Sequence, residues 1–137
     1  MSFCDDLVPI VAGGLGDNWS QVRYAASQAV RSFYVIANEN SELRDKYDPL
    51  LVPRMCLNRY YVAEGVKIYS NETWRLAHGD QGRQLVCKYA REVSEFYIEQ
   101  SQADNHAVRE AACHCISELC TKVAAAGDKE PFQPYVP

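Results

Sequence analysis

Asp17-Asn18-Trp19-Ser20-Gln21-Val22-Arg23-Tyr24-Ala25-Ala26 returns later in the chain as Asp104-Asn105-His106-Ala107-Val108-Arg109-Glu110-Ala111-Ala112. The two Val-Arg pairs stand 86 residues apart, and Val66-Lys67 sits near their midpoint. A second marker keeps step with the first. Leu7-Val8-Pro9 recurs as Leu51-Val52-Pro53 and ends the chain as Tyr135-Val136-Pro137, with Glu95 at the intermediate place. Positions 9, 53, 95 and 137 therefore run in phase with 22, 66 and 108. Two markers in phase indicate a repeated structural unit of about 43 residues.

Within each unit the apolar period is helical. Val22, Ala26, Ala29, Phe33 and Ile36 share one helix face, and Val108, Ala112, Cys115, Leu119 and Val123 share another. Leu7, Ile10 and Val11, and later Leu85, Tyr89, Val93 and Phe96, mark the helices that precede them. No stretch alternates with period two for long enough to make a strand. Gly13-Gly14 with Gly16, Asn38 to Asn40, and Gly79 with Gly82 punctuate the pattern. Asp17 or Asn18, and Asp104 or Asn105, are the expected N-caps of the second helices. The reading is all-α: helices near 3–14 and 19–37, 47–61 and 63–77, 83–102 and 105–125, paired antiparallel.

A proline in a first helix, an aspartate at the turn and Val-Arg opening a second helix resemble the HEAT repeat of the armadillo-type α-solenoids. Pro9, Asp17, Val22 and Arg23 carry the whole pattern in the first unit. The second keeps Pro53, Val66 and Lys67 and has Tyr61 in the aspartate's place. The third keeps Val108 and Arg109, sets Asp104 one residue late and replaces proline by Glu95. The resemblance implies a right-handed superhelix of three helix pairs, in repeats of about 3–40, 46–80 and 82–126. It also implies a hydrogen-bonded ladder between repeats, expected at Asp17, Arg23, Arg109 and Asp104, with Pro9, Pro53 and Lys67 at the other motif positions. Residues 131–137 read as the opening of a further repeat, so the chain is expected to belong to a longer array.

The 137 residues fit one domain, 47% hydrophobic and 23% charged, with a net charge of −4. Neither half is basic, which argues against a dominant phosphate-neutralising surface. Acids follow the N-terminal methionine where a signal peptide has cations. Leu7 to Gly16, the longest nearly uncharged apolar run, is half the ~20 residues a membrane span needs. Five of the six cysteines fall in helix-patterned segments, as expected of reduced thiols in the cytoplasm or the nucleus.

Chemical motifs are sparse. Cys113, His114, Cys115 and Cys120 do not make a metal set by spacing, because 113 and 115 lie about 200° apart on a helix. Core thiols on an alanine-rich helix are the expected reading there, and His78 reads as a loop residue. Gly13-Gly14-Leu15-Gly16 has no preceding strand and lacks dinucleotide spacing. No catalytic residue, cofactor or metal is assigned. The expected function is a non-enzymatic scaffold for protein–protein interaction, with a nucleic-acid, ribosome or chromosome-associated solenoid as the alternative. Outward positions of the second helices form the expected contact surface: Tyr24, Gln28 and Arg31 on the first, Glu72 and Arg75 on the second, Glu110, His114 and Glu118 on the third. Leu7, Ile10 or Val11 is expected to lie partly uncovered and the last pair to lack a neighbour, so either Phe132, Tyr135 and Val136 fold back over that pair or the chain self-associates through its open ends.

Overall fold

The computed structural model describes residues 2–123. The described residues form helices and turns, with no strand among them. In order these are α1 Ser2–Leu15, α2 Ser20–Ala37, α3 Ser41–Asn58, α4 Glu64–His78, a 3-10 turn Gly79–Gln81, α5 Gly82–Lys88, α6 Ala90–Gln100 and α7 His106–Glu118, which runs on as a π-helical turn Leu119–Val123. The expected all-α class holds. Short connections fold α1 on α2, α3 on α4 and α6 on α7, while α1 also packs on α3, α2 on α4 and α3 on α6.

Boundaries differ from the sequence reading in three places. The helix expected at 47–61 starts at Ser41, because Asn40 caps it by accepting from the Glu42 and Leu43 amides at 3.1 and 3.3 Å. The helix expected at 83–102 is broken at Tyr89, whose ψ of 31° leaves the helical region. The cap position of α2 is Trp19 rather than Asp17 or Asn18; the Asp17 carboxylate accepts from the Trp19 amide at 2.8 Å, one residue early. At α7 the cap is Asn105, which accepts from the Ala107 amide at 2.8 Å. The segment 131–137, with Phe132, Tyr135 and Val136, lies outside the described residues.

Helix α3 organises the core because it is apolar on two sides. Leu43, Tyr47, Leu51 and Met55 follow an i, i+4 stripe and join Val8, Ala12, Leu15, Val30 and Tyr34 of the first pair. Val52 and Cys56, on the other side, join Val93, Tyr97, Ala112 and Cys115 of the last helices. A third cluster of Tyr61, Val66, Ala107 and Val108 ties the middle turn to the start of α7. Close approaches fall at glycines. A Cβ on Gly82 would lie 2.6 Å from the Trp74 Nε1, so the indole rests on bare backbone where α5 begins. Gly79, at φ +57°, ends α4 in a conformation that side chains other than glycine's resist.

Candidate partner-binding face

The first turns of α2 and α4 leave an apolar surface open to solvent. Trp19 is 70% and Ile68 64% exposed, and Tyr24 and Val62 are exposed as well, while Val22, also exposed, is turned toward Gly14 of α1. Between the two helix starts lies an open hollow of about 330 Å³, lined by Ser20, Gln21, Tyr24, Ala63, Gly65 and Val66. Tyr24, on its wall, is held by its neighbours. Tyr24 packs on Tyr69 with ring centroids 4.6 Å apart. Arg31 lies over the same ring at 3.7 Å. It donates to the Tyr69 carbonyl at 3.2 Å and to the Thr73 hydroxyl at 3.0 Å, and Ser27 and Thr73 share a hydrogen bond at 3.2 Å.

The eight positions expected to point outward divide into three groups. Tyr24 and Gln28 are exposed on α2. Glu72 forms a solvated one-turn ion pair with Arg75 on α4, and Glu110 lies 3.8 Å from the exposed His114 ring one turn along α7. Arg31 and Glu118 are corrections to the outward reading, since both are spent on internal contacts. Glu118 takes Arg59 at 2.5 and 3.2 Å and the Tyr60 hydroxyl at 2.9 Å, tying α7 to the end of α3. Burial and that hydrogen bond push the Tyr60 phenol up to about 12. His114 also stacks on Tyr60, with ring centroids 5.8 Å apart.

The expected ladder is rebuilt from other partners. Arg23 is buried and donates to the Asp17 main-chain carbonyl at 2.5 Å and the Leu15 carbonyl at 3.0 Å. It reaches the next pair through Asn58 Oδ1 at 2.7 Å and lies over the Tyr61 ring at 4.1 Å. Asn58 in turn donates to the same Leu15 carbonyl at 2.9 Å. Asp17 therefore serves with its backbone, and Asn58, absent from the expected set, supplies the rung. Arg109 repeats the local half of this motif, donating to the Ala103 and Asp104 carbonyls at 2.6 and 2.8 Å, and is exposed with Asp104. Pro9 lies within α1 and is exposed, Pro53 within α3 and buried, and Lys67 in the first turn of α4 and half-buried. The polar-aromatic run Asn58-Arg59-Tyr60-Tyr61, following the apolar stretch Met55-Cys56-Leu57 at the end of α3, was the available signal for these contacts.

One buried polar group crosses the first two pairs. The Tyr34 hydroxyl donates to Asp48 at 2.5 Å, Asp48 pairs with Arg44 at 3.2 Å, and Arg44 contacts His78 Nδ1 at 2.6 Å. His78 is thus not a loop residue. It closes α4, buried against the edges of Tyr34 and Trp74, and its Nε2 has no partner. Burial first, and Arg44 second, hold its imidazole down at about 3. Of the thiols expected in the core of α7, Cys115 is buried and pushed up by burial, whereas Cys113 and Cys120 are exposed. No disulfide joins the six cysteines.

Among the described residues no helix is long and apolar enough to cross a membrane. Comparison with protein-family models, curated proteins and solved structures finds no match to this chain.

Proposed function

We propose that the chain is a non-enzymatic scaffold of the HEAT-like kind, three helix pairs in a right-handed superhelix that binds protein partners in the cytoplasm or the nucleus. The carrying observation is the exposed Tyr24 on the wall of an open hollow between the starts of α2 and α4, packed on a Tyr69 ring that Arg31 clamps. Rigid aromatic groups at a hollow's rim are the chemistry of binding anchors, since little side-chain entropy is lost on contact. Charge supports protein over nucleic acid as the ligand. The chain carries a net charge of −4, and of the cations on α2 and α4 Arg31 is engaged by Tyr69 with Thr73 and Arg75 by Glu72, while Lys67 stands in the first turn of α4. The test is cross-linking mass spectrometry in cells with the full chain. Partners captured by the native chain should be lost with Trp19→Asp or Tyr24→Asp and kept with Glu39→Ala. Capture unaffected by either aspartate would overturn this assignment of the face.

A further inference from the structure

The repeat register superposes a covered face of the molecule on an open one. Shifting by 44 residues, as Pro9 to Pro53 and Val22 to Val66 require, matches Phe3, Leu7 and Val11 of α1 with Tyr47, Leu51 and Met55 of α3. It matches Ala29 and Phe33 of α2 with Thr73 and Ala77 of α4. All five residues on the second pair are buried, because the first pair lies on them. Their five counterparts line a groove of about 300 Å³ between α1 and α2 that opens to solvent, with Leu7 53% exposed and Ile10 on its flank 70% exposed. The groove runs into the interface already formed, for Val8, Val30 and Leu51 line its floor. The first pair thus presents outward the face by which the second pair receives a neighbour.

The opposite side of that internal interface is carried by Ala12 and Val30, with Ser27, Arg31 and Tyr34 making its polar contacts. A shift of 86 residues places Ile98, Ile116, Cys113, Ser117 and Cys120 at those positions on the last pair. Ile98, Cys113, Ser117 and Cys120 are exposed, and Ile116 is half-buried. The substitutions on the two open faces match each other. Tyr34 meets Asp48 inside the chain; the corresponding open positions are Cys120 and Cys4. Ser27 and Arg31 meet Thr73 inside; the open positions are Cys113 and Ser117 against Ala29. The charges of Arg31 and Asp48 have gone from both sides together at these positions, so neither strands a charge on the other; the one hydroxyl kept is that of Ser117. At the turn, Arg23 lies over Tyr61 inside; the open counterparts are Arg109 and Asp17, a cation and an anion.

We propose that the α1–α2 groove receives the α6–α7 side of a second copy of this chain, in a head-to-tail contact. The contact repeats the internal one, with Ile116 in the place of Val30 and Arg109 facing Asp17. A head-to-tail contact leaves one open end of each kind on every assembly, so it builds a series or closes into a ring. This inference stands on the repeat register and the open groove, and is independent of the Trp19 face.

The test is sedimentation velocity on the full chain from roughly 10 µM to roughly 1 mM, the range in which small interfaces associate. The native chain should give species beyond the monomer that grow with concentration. Leu7→Asp and Ile98→Arg, both at exposed positions, should each be monomeric alone and form a single dimer when mixed, because each retains one intact face. Phe3→Asp and Cys120→Arg form a second pair with the same expectation, and circular dichroism shows that all four keep native helicity. A native chain that stays monomeric throughout would overturn the proposal. So would a dimer that Leu7→Asp abolishes and neither Ile98→Arg nor Cys120→Arg weakens, since that is a face-to-face contact of two grooves.

Discussion

Arg23 and Asn58, 35 positions apart, are joined by a buried hydrogen bond of 2.7 Å and converge on one acceptor, the carbonyl of Leu15. That carbonyl belongs to the last turn of α1, where no intrahelical amide remains to satisfy it. One guanidinium and one carboxamide thereby close the end of a helix and fix the second pair on the first.

Asn58→Leu should cost about 3 kcal/mol in urea unfolding, the range expected when a buried cation loses a partner. Asn58→Asp, which keeps an acceptor for Arg23, should lose less. A loss below about 0.5 kcal/mol for the leucine variant would show that Arg23 is satisfied without the rung.

Stability should fall on mild acidification because of His78. Its folded-state value of about 3 lies below the 6.5 of an unperturbed imidazole, so the unfolded chain binds the proton first. The contribution is complete above pH 6.5 and declines as pH falls below it. Between pH 7 and pH 5 the chain should lose about 2 kcal/mol. His78→Phe should flatten that slope whatever it does to stability at pH 7, and an unchanged slope would place the titration elsewhere.

Glu118→Gln should destabilise by about 2 kcal/mol, since Arg59 and Tyr60 both depend on its carboxylate and Arg59 Nε is already without a partner. Glu110→Gln, at an exposed contact with His114 on the same helix, should change stability by less than about 0.5 kcal/mol. Equal effects would contradict the assignment of Glu118 to the interior.

Thiol labelling should separate the cysteines by exposure. Cys113 and Cys120 should react with an alkylating reagent in the native state. Cys56 and Cys115, buried and held as thiols, should react at least about a thousandfold more slowly and become reactive on unfolding. Mass spectrometry of partly labelled chains reads the order directly.

Helix positions and pairing were legible because they rest on period and punctuation. Val22, Ala26 and Phe33, or Gly79 after His78, announce themselves in one dimension. The start of α3 at Ser41 was not, for a helix buried on two sides has no single apolar stripe to follow; its 43–47–51–55 and 52–56 stripes overlap into one undivided run. The contact positions were half legible. Tyr24 and Gln28 are exposed as the period requires, but Arg31 and Glu118 turn inward because their partners, Tyr69 with Thr73 and Arg59 with Tyr60, lie 38 to 59 residues away. Spacing along one helix carries no record of such partners. The rung at Asn58 was hidden for the same reason.

The middle turn has a different tolerance from its neighbours. Tyr61 is 3% exposed beneath Arg23, and above it Asn105 donates to Asn18 at 3.3 Å, so the first and third turns meet across the second. Glu39, between α2 and α3, is flanked by exposed asparagines. A tag, fluorophore loop or protease site spliced beside Glu39 puts at risk only the Asn40 cap of α3 and the Asn38 contact with Arg44, whereas the same cargo at Tyr61 prises three turns apart. The chain thus offers engineers one permissive seam and one sealed one, and length variation among natural variants should accumulate at the first and avoid the second.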